Sequence, residues 1–170
     1  MEKISKKNIC LVGLMGSGKT HVGKILSKEL GLRFIDTDIL IEKKMNMTIN
    51  AIFKEYGEKY FRNIEEKIVN SQLVKTNSIV SLGGGSILSN LTRKNLKEYC
   101  YTIFLNINIE ILYNRIKNSK KRPLIIKENI KKTLSNLLSQ RMKYYKEADL
   151  IINQSNSEKI IEKIKKSIHL

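Results

Sequence analysis

The chain has 170 residues, enough for one domain with a substantial apolar core and no need of a disulfide framework or structural metal. Its two cysteines, Cys10 and Cys100, make no such framework and read as small buried hydrophobes, and no stretch approaches the roughly 18 consecutive apolar residues of a membrane span. The net charge of +16 raises the question of nucleic-acid binding, but the lysines are spread over almost every predicted helix, which describes a solvated surface whose positive field still draws anionic ligands.

Residues 8–12, Asn-Ile-Cys-Leu-Val, form a short apolar run that predicts a buried strand. It leads into Gly13-Leu14-Met15-Gly16-Ser17-Gly18-Lys19-Thr20, and then into a predicted helix over 21–30 with Val22, Ile25, Leu26 and Leu30 at helical spacing. Strand, glycine loop and helix are the context in which the pattern G-x-x-x-x-G-K-[ST] binds phosphate. The glycines let the backbone wrap a phosphate with its N–H groups pointing inward, and the helix N-terminus adds its positive end. Lys19 has the reach for β- and γ-phosphates, and the Thr20 hydroxyl suits Mg²⁺. The expected ATP-binding set here is Gly13, Gly16, Ser17, Gly18, Lys19, Thr20 and His21.

Gly31 fits a helix C-cap, and residues 32–36 predict a second strand that ends in Asp36, with Thr37 and Asp38 following. A helical pattern over 39–44 gives way to Met47-Thr48-Ile49 and a second helix that Gly57 interrupts. From 58 to 74 the spacing of Phe61, Ile64 and Ile68 predicts a longer amphipathic helix on which Arg62 and Glu65 lie three apart. Residues 78–82 predict a third strand running into Gly83-Gly84-Gly85. A helix over 91–99, a strand over 101–105 and a helix over 109–117 follow, then a polar, basic loop over 118–127 that holds Arg122 and the only proline, Pro123. A long helix over 130–145 bears Arg141, residues 150–152 form a fifth strand, and a terminal helix over 157–168 aligns Ile160, Ile161, Ile164 and Ile168 for packing on the sheet.

Five short strands alternating with helices predict an α/β fold with a parallel sheet covered on both faces, in which ligands collect at the carboxyl ends of the strands. Arginine points to the same edge. Of 32 basic residues only six are Arg: Arg33, Arg62, Arg93, Arg115, Arg122 and Arg141. Where Lys is the default cation, each Arg marks a place that needs a planar, bidentate donor. Arg62 and Arg141 together suit a carboxylate. The glycine triplet lets backbone N–H groups approach a substrate with no side chain in the way. One carboxylate of the Asp36/Asp38 pair faces the water shell of a metal and the other the acceptor, which then bears a carboxylate and a hydroxyl. Each piece alone has a plainer reading: an Asp caps a helix, Arg62 pairs with Glu65, three glycines make a turn.

In order and spacing, the phosphate loop, Asp36-Thr37-Asp38 with Ile41-Glu42, Gly57-Glu58-Lys59-Tyr60-Phe61-Arg62-Asn63-Ile64-Glu65, Gly83-Gly84-Gly85, Arg115, Arg122-Pro123-Leu124, and Arg141 with Tyr145 resemble the shikimate kinase family over nearly the whole chain. The resemblance implies a P-loop, nucleoside-monophosphate-kinase-like fold in one domain over 1–170, with substrate-binding helices at about 39–74 and a mobile lid at about 118–127. It implies ATP-dependent, Mg²⁺-assisted phosphorylation of the 3-hydroxyl of shikimate. Asp38 would then bind the substrate hydroxyls and act as base, with Lys19 and Arg122 as the catalytic cations. Thr20 and Asp36 would place the metal, and Arg62, Arg141, Gly84 and Gly85 would hold the carboxylate. Glu65 would orient Arg62, and Arg115 would lie against adenine. Two departures stand out. Ser86 follows the triplet where a smaller residue is common, with a hydroxyl in reach of substrate, and residues 153–157 lack the Arg or Pro that some relatives place beside adenine.

A phosphate-loop kinase for gluconate or a nucleoside monophosphate is the rival, against which the Asp36-Thr37-Asp38 and 57–65 motifs decide. A nucleic-acid-binding protein on an inactive kinase scaffold would be expected to lose Lys19, Asp38 or Arg141, and all three are present. The expectation is a cytoplasmic monomer that takes shikimate and ATP and engages neither nucleic acid nor membrane.

Overall fold

A computed structural model of the chain describes residues 8–118 and 129–168. Its strands β1 (Asn8–Val12), β2 (Arg33–Asp36), β3 (Ser78–Ser81), β4 (Cys100–Leu105) and β5 (Leu150–Ile152) form one parallel sheet in the order β2-β3-β1-β4-β5. The helices are α1 (Lys19–Leu30), α2 (Thr37–Met45), α3 (Ile49–Leu73), α4 (Asn90–Tyr99), α5 (Ile109–Ile116), α6 (Ile130–Tyr145) and α7 (Ser157–Ser167), and a 3-10 turn spans Ser86–Leu88. The central strands β1 and β3 are buried at every position, the polar Asn8, Ser78 and Ser81 included, whereas the edge strands β2 and β5 are partly exposed. Helix α1 packs on β2, β3 and α7, and α4 packs on β4 and α3. The isoleucine stripe of the last helix, Ile160, Ile161, Ile164 and Ile168, lies within the main core, as its packing reading required.

Strand register sets the site. Asp36 pairs with Ser81, and Ser81 with Leu11, so the carboxyl ends of β2, β3 and β1 lie side by side. The phosphate loop, the acid pair and the glycine triplet therefore meet at one edge although Gly13 and Gly83 are 70 residues apart.

One boundary differs from the sequence reading. Helix α2 starts at Thr37 rather than at 39, because the Asp36 side chain accepts from the backbone N–H groups of Asp38 and Ile39 and caps it. The interruption expected at Gly57 is present: α3 breaks there into two helical segments, Gly57 taking φ 80° and ψ 171°, a non-helical backbone state that glycine enters without a Cβ penalty. Across the kink the Phe53 and Phe61 rings meet at 4.7 Å, and a separate small core of Ile41, Ile52, Phe61 and Ile68 joins α2 to α3.

Candidate active site

The nucleotide side is built on the junction of β1 and α1. Gly18 caps α1 with φ 95°, a left-handed conformation that most side chains resist, and the helix then opens with Lys19 and Thr20. The nearly buried Lys19 turns its Nζ back into its own loop, donating to the Gly13 and Leu14 carbonyls at 2.9 Å each and to Ser17 Oγ at 3.4 Å. Thr20 Oγ1 donates to Asp36 Oδ2 at 2.6 Å, while Asp36 Oδ1 caps α2, so one carboxylate serves helix and site together. Arg115, from α5, donates to the carbonyls of Gly16 (2.9 Å) and Ser155 (3.2 Å). Gly16, Ser17, Gly18, Thr20, His21 and Arg115 line a cavity of about 450 Å³.

The acceptor side is organised by a residue that the sequence reading passed over. Buried Thr37 donates through Oγ1 to the Ser81 carbonyl (3.2 Å) and accepts from the Gly83 N–H (3.1 Å), which ties the acid pair to the glycine loop. A Cβ on Gly83 would fall 2.5 Å from Asp38 Oδ1 and 2.8 Å from Glu65 Oε1, and a Cβ on Gly85 would fall 2.5 Å from the Arg62 Cζ. Neither residue has a positive φ. These glycines thus make room for the protein's own polar groups, where the sequence suggested room for the substrate alone.

Glu65 is 3% exposed and accepts from Arg62 Nη1 at 2.6 Å and from Ser86 Oγ at 2.8 Å. The Ser86 hydroxyl is therefore engaged with Glu65. Arg62 also donates from Nε and Nη2 to Glu58 Oε1, at 3.2 and 3.1 Å. Burial works against the Arg62 charge, but the charges and hydrogen bonds of Glu65 and Glu58 outweigh it and raise the guanidinium above its ordinary range.

Arg141, on α6, is 3% exposed, with its Nη1 3.4 Å from where a Gly84 Cβ would stand. Its Nε has no hydrogen-bond partner among the described residues. Burying a guanidinium donor unpaired is costly, and an incoming anion would offset that cost. One turn further on, Tyr145 donates from its hydroxyl to the Gly84 carbonyl at 2.7 Å, its ring stacked on Phe104 at 4.6 Å. Arg62 from α3 and Arg141 from α6 thus flank the triplet.

Burial pushes the Tyr145 hydroxyl up to about 12, against the lowering influence of Arg141. Because the folded pKa lies above the unfolded one, this group's contribution is fully present below about pH 10 and is lost as pH rises toward about 12, a change on the order of 3 kcal/mol. Tyr145→Phe is expected to be less stable at pH 8 by about 1–2 kcal/mol, through the unsatisfied Gly84 carbonyl, and to lack that part of the alkaline fall. Urea unfolding of both proteins from pH 8 to 12 checks it; parallel alkaline falls would refute the assignment.

The structure brings together Lys19, Thr20, Asp36, Asp38, Arg62, Gly84, Gly85 and Arg141, and sets Arg115 along the nucleotide cavity. Arg122 and the lid expected around it lie outside the described residues, apart from residue 118. Among the described residues no helix is long and apolar enough to cross a membrane.

Comparison with known proteins places the chain. The family model described as shikimate kinase matches residues 15–169. A shikimate kinase of Thermodesulfovibrio yellowstonii is 38% identical over 160 residues, covering 93% of this chain and 92% of the relative. The solved shikimate kinase from Acinetobacter baumannii in complex with shikimate superposes with a TM-score of 0.92 at 36% identity, covering 96% of this chain and 93% of that one. A gluconokinase from Sinorhizobium meliloti, at 14% identity and a TM-score of 0.60 over 99% of this chain and 94% of its own, shares the fold alone. With its phosphate loop, acid pair and arginine-flanked glycine triplet at one sheet edge, this chain belongs to the shikimate kinase family.

Proposed function

We propose that this chain transfers the γ-phosphoryl group of ATP to the 3-hydroxyl of shikimate, giving shikimate 3-phosphate and ADP. The observation that supports it most is the flanking of one glycine triplet by two guanidinium groups from different helices, beside Asp38 and within reach of the phosphate loop. Paired planar forks suit the carboxylate of the acceptor. With the carboxylate held there, aided by the Gly84 and Gly85 amides, Asp38 takes the proton of the attacking hydroxyl. Its oxygen forms a bond to the γ-phosphorus as the bond to the β-phosphate oxygen breaks. Lys19 exchanges its two loop carbonyls for β- and γ-phosphate oxygens, and holds them more strongly as charge develops on them.

The hard oxygens of Thr20 and Asp36, 2.6 Å apart, fit Mg²⁺ and its water shell. When bound there, the ion neutralises phosphate charge. His21 and Ser17 complete the nucleotide pocket with Arg115. The same reading takes shikimate and ATP as the partners of a cytoplasmic monomer in which residues 1–170 act as one domain, with no nucleic acid or membrane involved.

The test is ADP release by the purified protein with Mg·ATP, run in parallel with shikimate, gluconate, CMP and no acceptor. Release that depends on shikimate and is absent with the others is the expected result. Release with gluconate or CMP but not shikimate, or with none, would overturn the reading.

A further inference from the structure

Of the six arginines, Arg33 and Arg93 belong to no part of the site described so far. Arg33 is exposed and donates to the Thr76 carbonyl. Arg93 has a different setting. From the first turns of α4, its Nη1 donates to the carbonyls of Ile87 (2.8 Å) and Leu88 (2.9 Å), its Nη2 donates to Asn90 Oδ1, and its Cζ lies 4.0 Å from the centroid of the Tyr144 ring on α6. Nη1 holds two carbonyls while Nη2 reaches Asn90 and the guanidinium lies over an aromatic ring, so two nitrogens of one planar group act at once, which the single ammonium of Lys cannot reproduce.

What Arg93 grips is the continuation of the glycine triplet. Ser86 N–H donates to the Gly83 carbonyl and Leu88 N–H to the Gly85 carbonyl, so the 3-10 turn and the triplet are one hydrogen-bonded unit. What it stacks on adjoins Tyr145, whose hydroxyl holds the Gly84 carbonyl, and lies three residues from Arg141. We infer that Arg93 is a positioning residue for carboxylate recognition, a strut between the glycine loop and α6 that fixes the spacing of Arg62, packed against Gly85, from Arg141, beside Gly84. It touches no substrate itself. The inference rests on the reading that these two guanidinium groups receive the acceptor's carboxylate.

The experiment compares wild type with Arg93→Lys, Tyr144→Leu, the double variant and Tyr144→Phe. It measures kcat, KM for shikimate, KM for ATP, Tm and amide hydrogen exchange of residues 83–88. Arg93→Lys and Tyr144→Leu should each raise the shikimate KM about tenfold, as expected of a small misplacement of a binding group, with the ATP KM unchanged and exchange over 83–88 accelerated. The double variant should be no worse than the weaker single, because one strut is removed only once, and Tyr144→Phe, which keeps the ring, should match wild type. An unchanged shikimate KM in Arg93→Lys overturns the inference, and so does a parallel loss in both KM values and Tm, the mark of general destabilisation. Should wild type itself fail to turn over shikimate, the proposed function falls, and exchange then decides the strut alone: protection over 83–88 unaltered in Arg93→Lys would remove it.

Discussion

Asp38→Asn is expected to lower kcat by about 10³-fold while ATP binding persists, because positioned general-base catalysis is worth on the order of 10²–10⁴-fold. The substitution is close to isosteric. It keeps the backbone N–H that Asp36 Oδ1 accepts at 3.1 Å, so the cap of α2 and the Thr20 contact to the same carboxylate stay in place. What it removes is the capacity to take a proton, together with a negative charge beside the Glu65 carboxylate, since both acids reach the point where a Gly83 Cβ would stand. Shikimate-dependent ADP release measures the first effect, and calorimetric titration with ATP the second. Turnover retained in the variant would show that Asp38 is not the base. Loss of ATP binding would instead place the damage in the nucleotide pocket.

The sequence announced the phosphate loop, the acid pair and the two guanidinium positions because each depends on residue types that are scarce here and are set at fixed spacing from an element end. Arginine stood out among lysines, and six of nine glycines lay in two loops. Strand order was not legible in the same way. That β3 lies between β2 and β1 follows from crossover packing, and no local pattern encodes it. The supporting hydrogen bonds were hidden for a similar reason. Thr37 looks like any small polar residue at the start of a helix until the register of β2 with β3 brings Ser81 and Gly83 to it. Ser86 invited a substrate contact on sequence position alone, whereas the buried carboxylate of Glu65, 21 residues earlier, takes its hydroxyl. Asp36, expected at the metal site, also caps α2, so the plainer reading of the pair, that an Asp caps a helix, holds beside the functional one.

Gly83→Ala and Gly85→Ala should separate the two halves of acceptor handling. Neither position has a positive φ, so alanine meets no backbone strain, and its lower unfolded-state entropy favours folding by about 0.4–1 kcal/mol, which offsets part of any collision. The collisions differ. At Gly83 the new methyl would press on Glu65 Oε1, which is buried and held by Ser86, and on Asp38 Oδ1, which yields at the cost of turning the base away from the acceptor. At Gly85 it would overlap the Arg62 guanidinium and displace it from Glu65 and Glu58. Gly83→Ala should therefore lower kcat by roughly 10²-fold, the scale of a misplaced catalytic group, while Gly85→Ala should act chiefly on the shikimate KM. Steady-state kinetics with Tm measured alongside would decide it: equal changes in kcat and KM for both variants, tracking a fall in Tm, would reduce the triplet to a turn. A double variant sharpens the point. Gly83→Ala placed on Asp38→Asn should add little to the loss in kcat, because the methyl acts through a carboxylate that is already gone, whereas Gly85→Ala on the same background should still raise the shikimate KM in full.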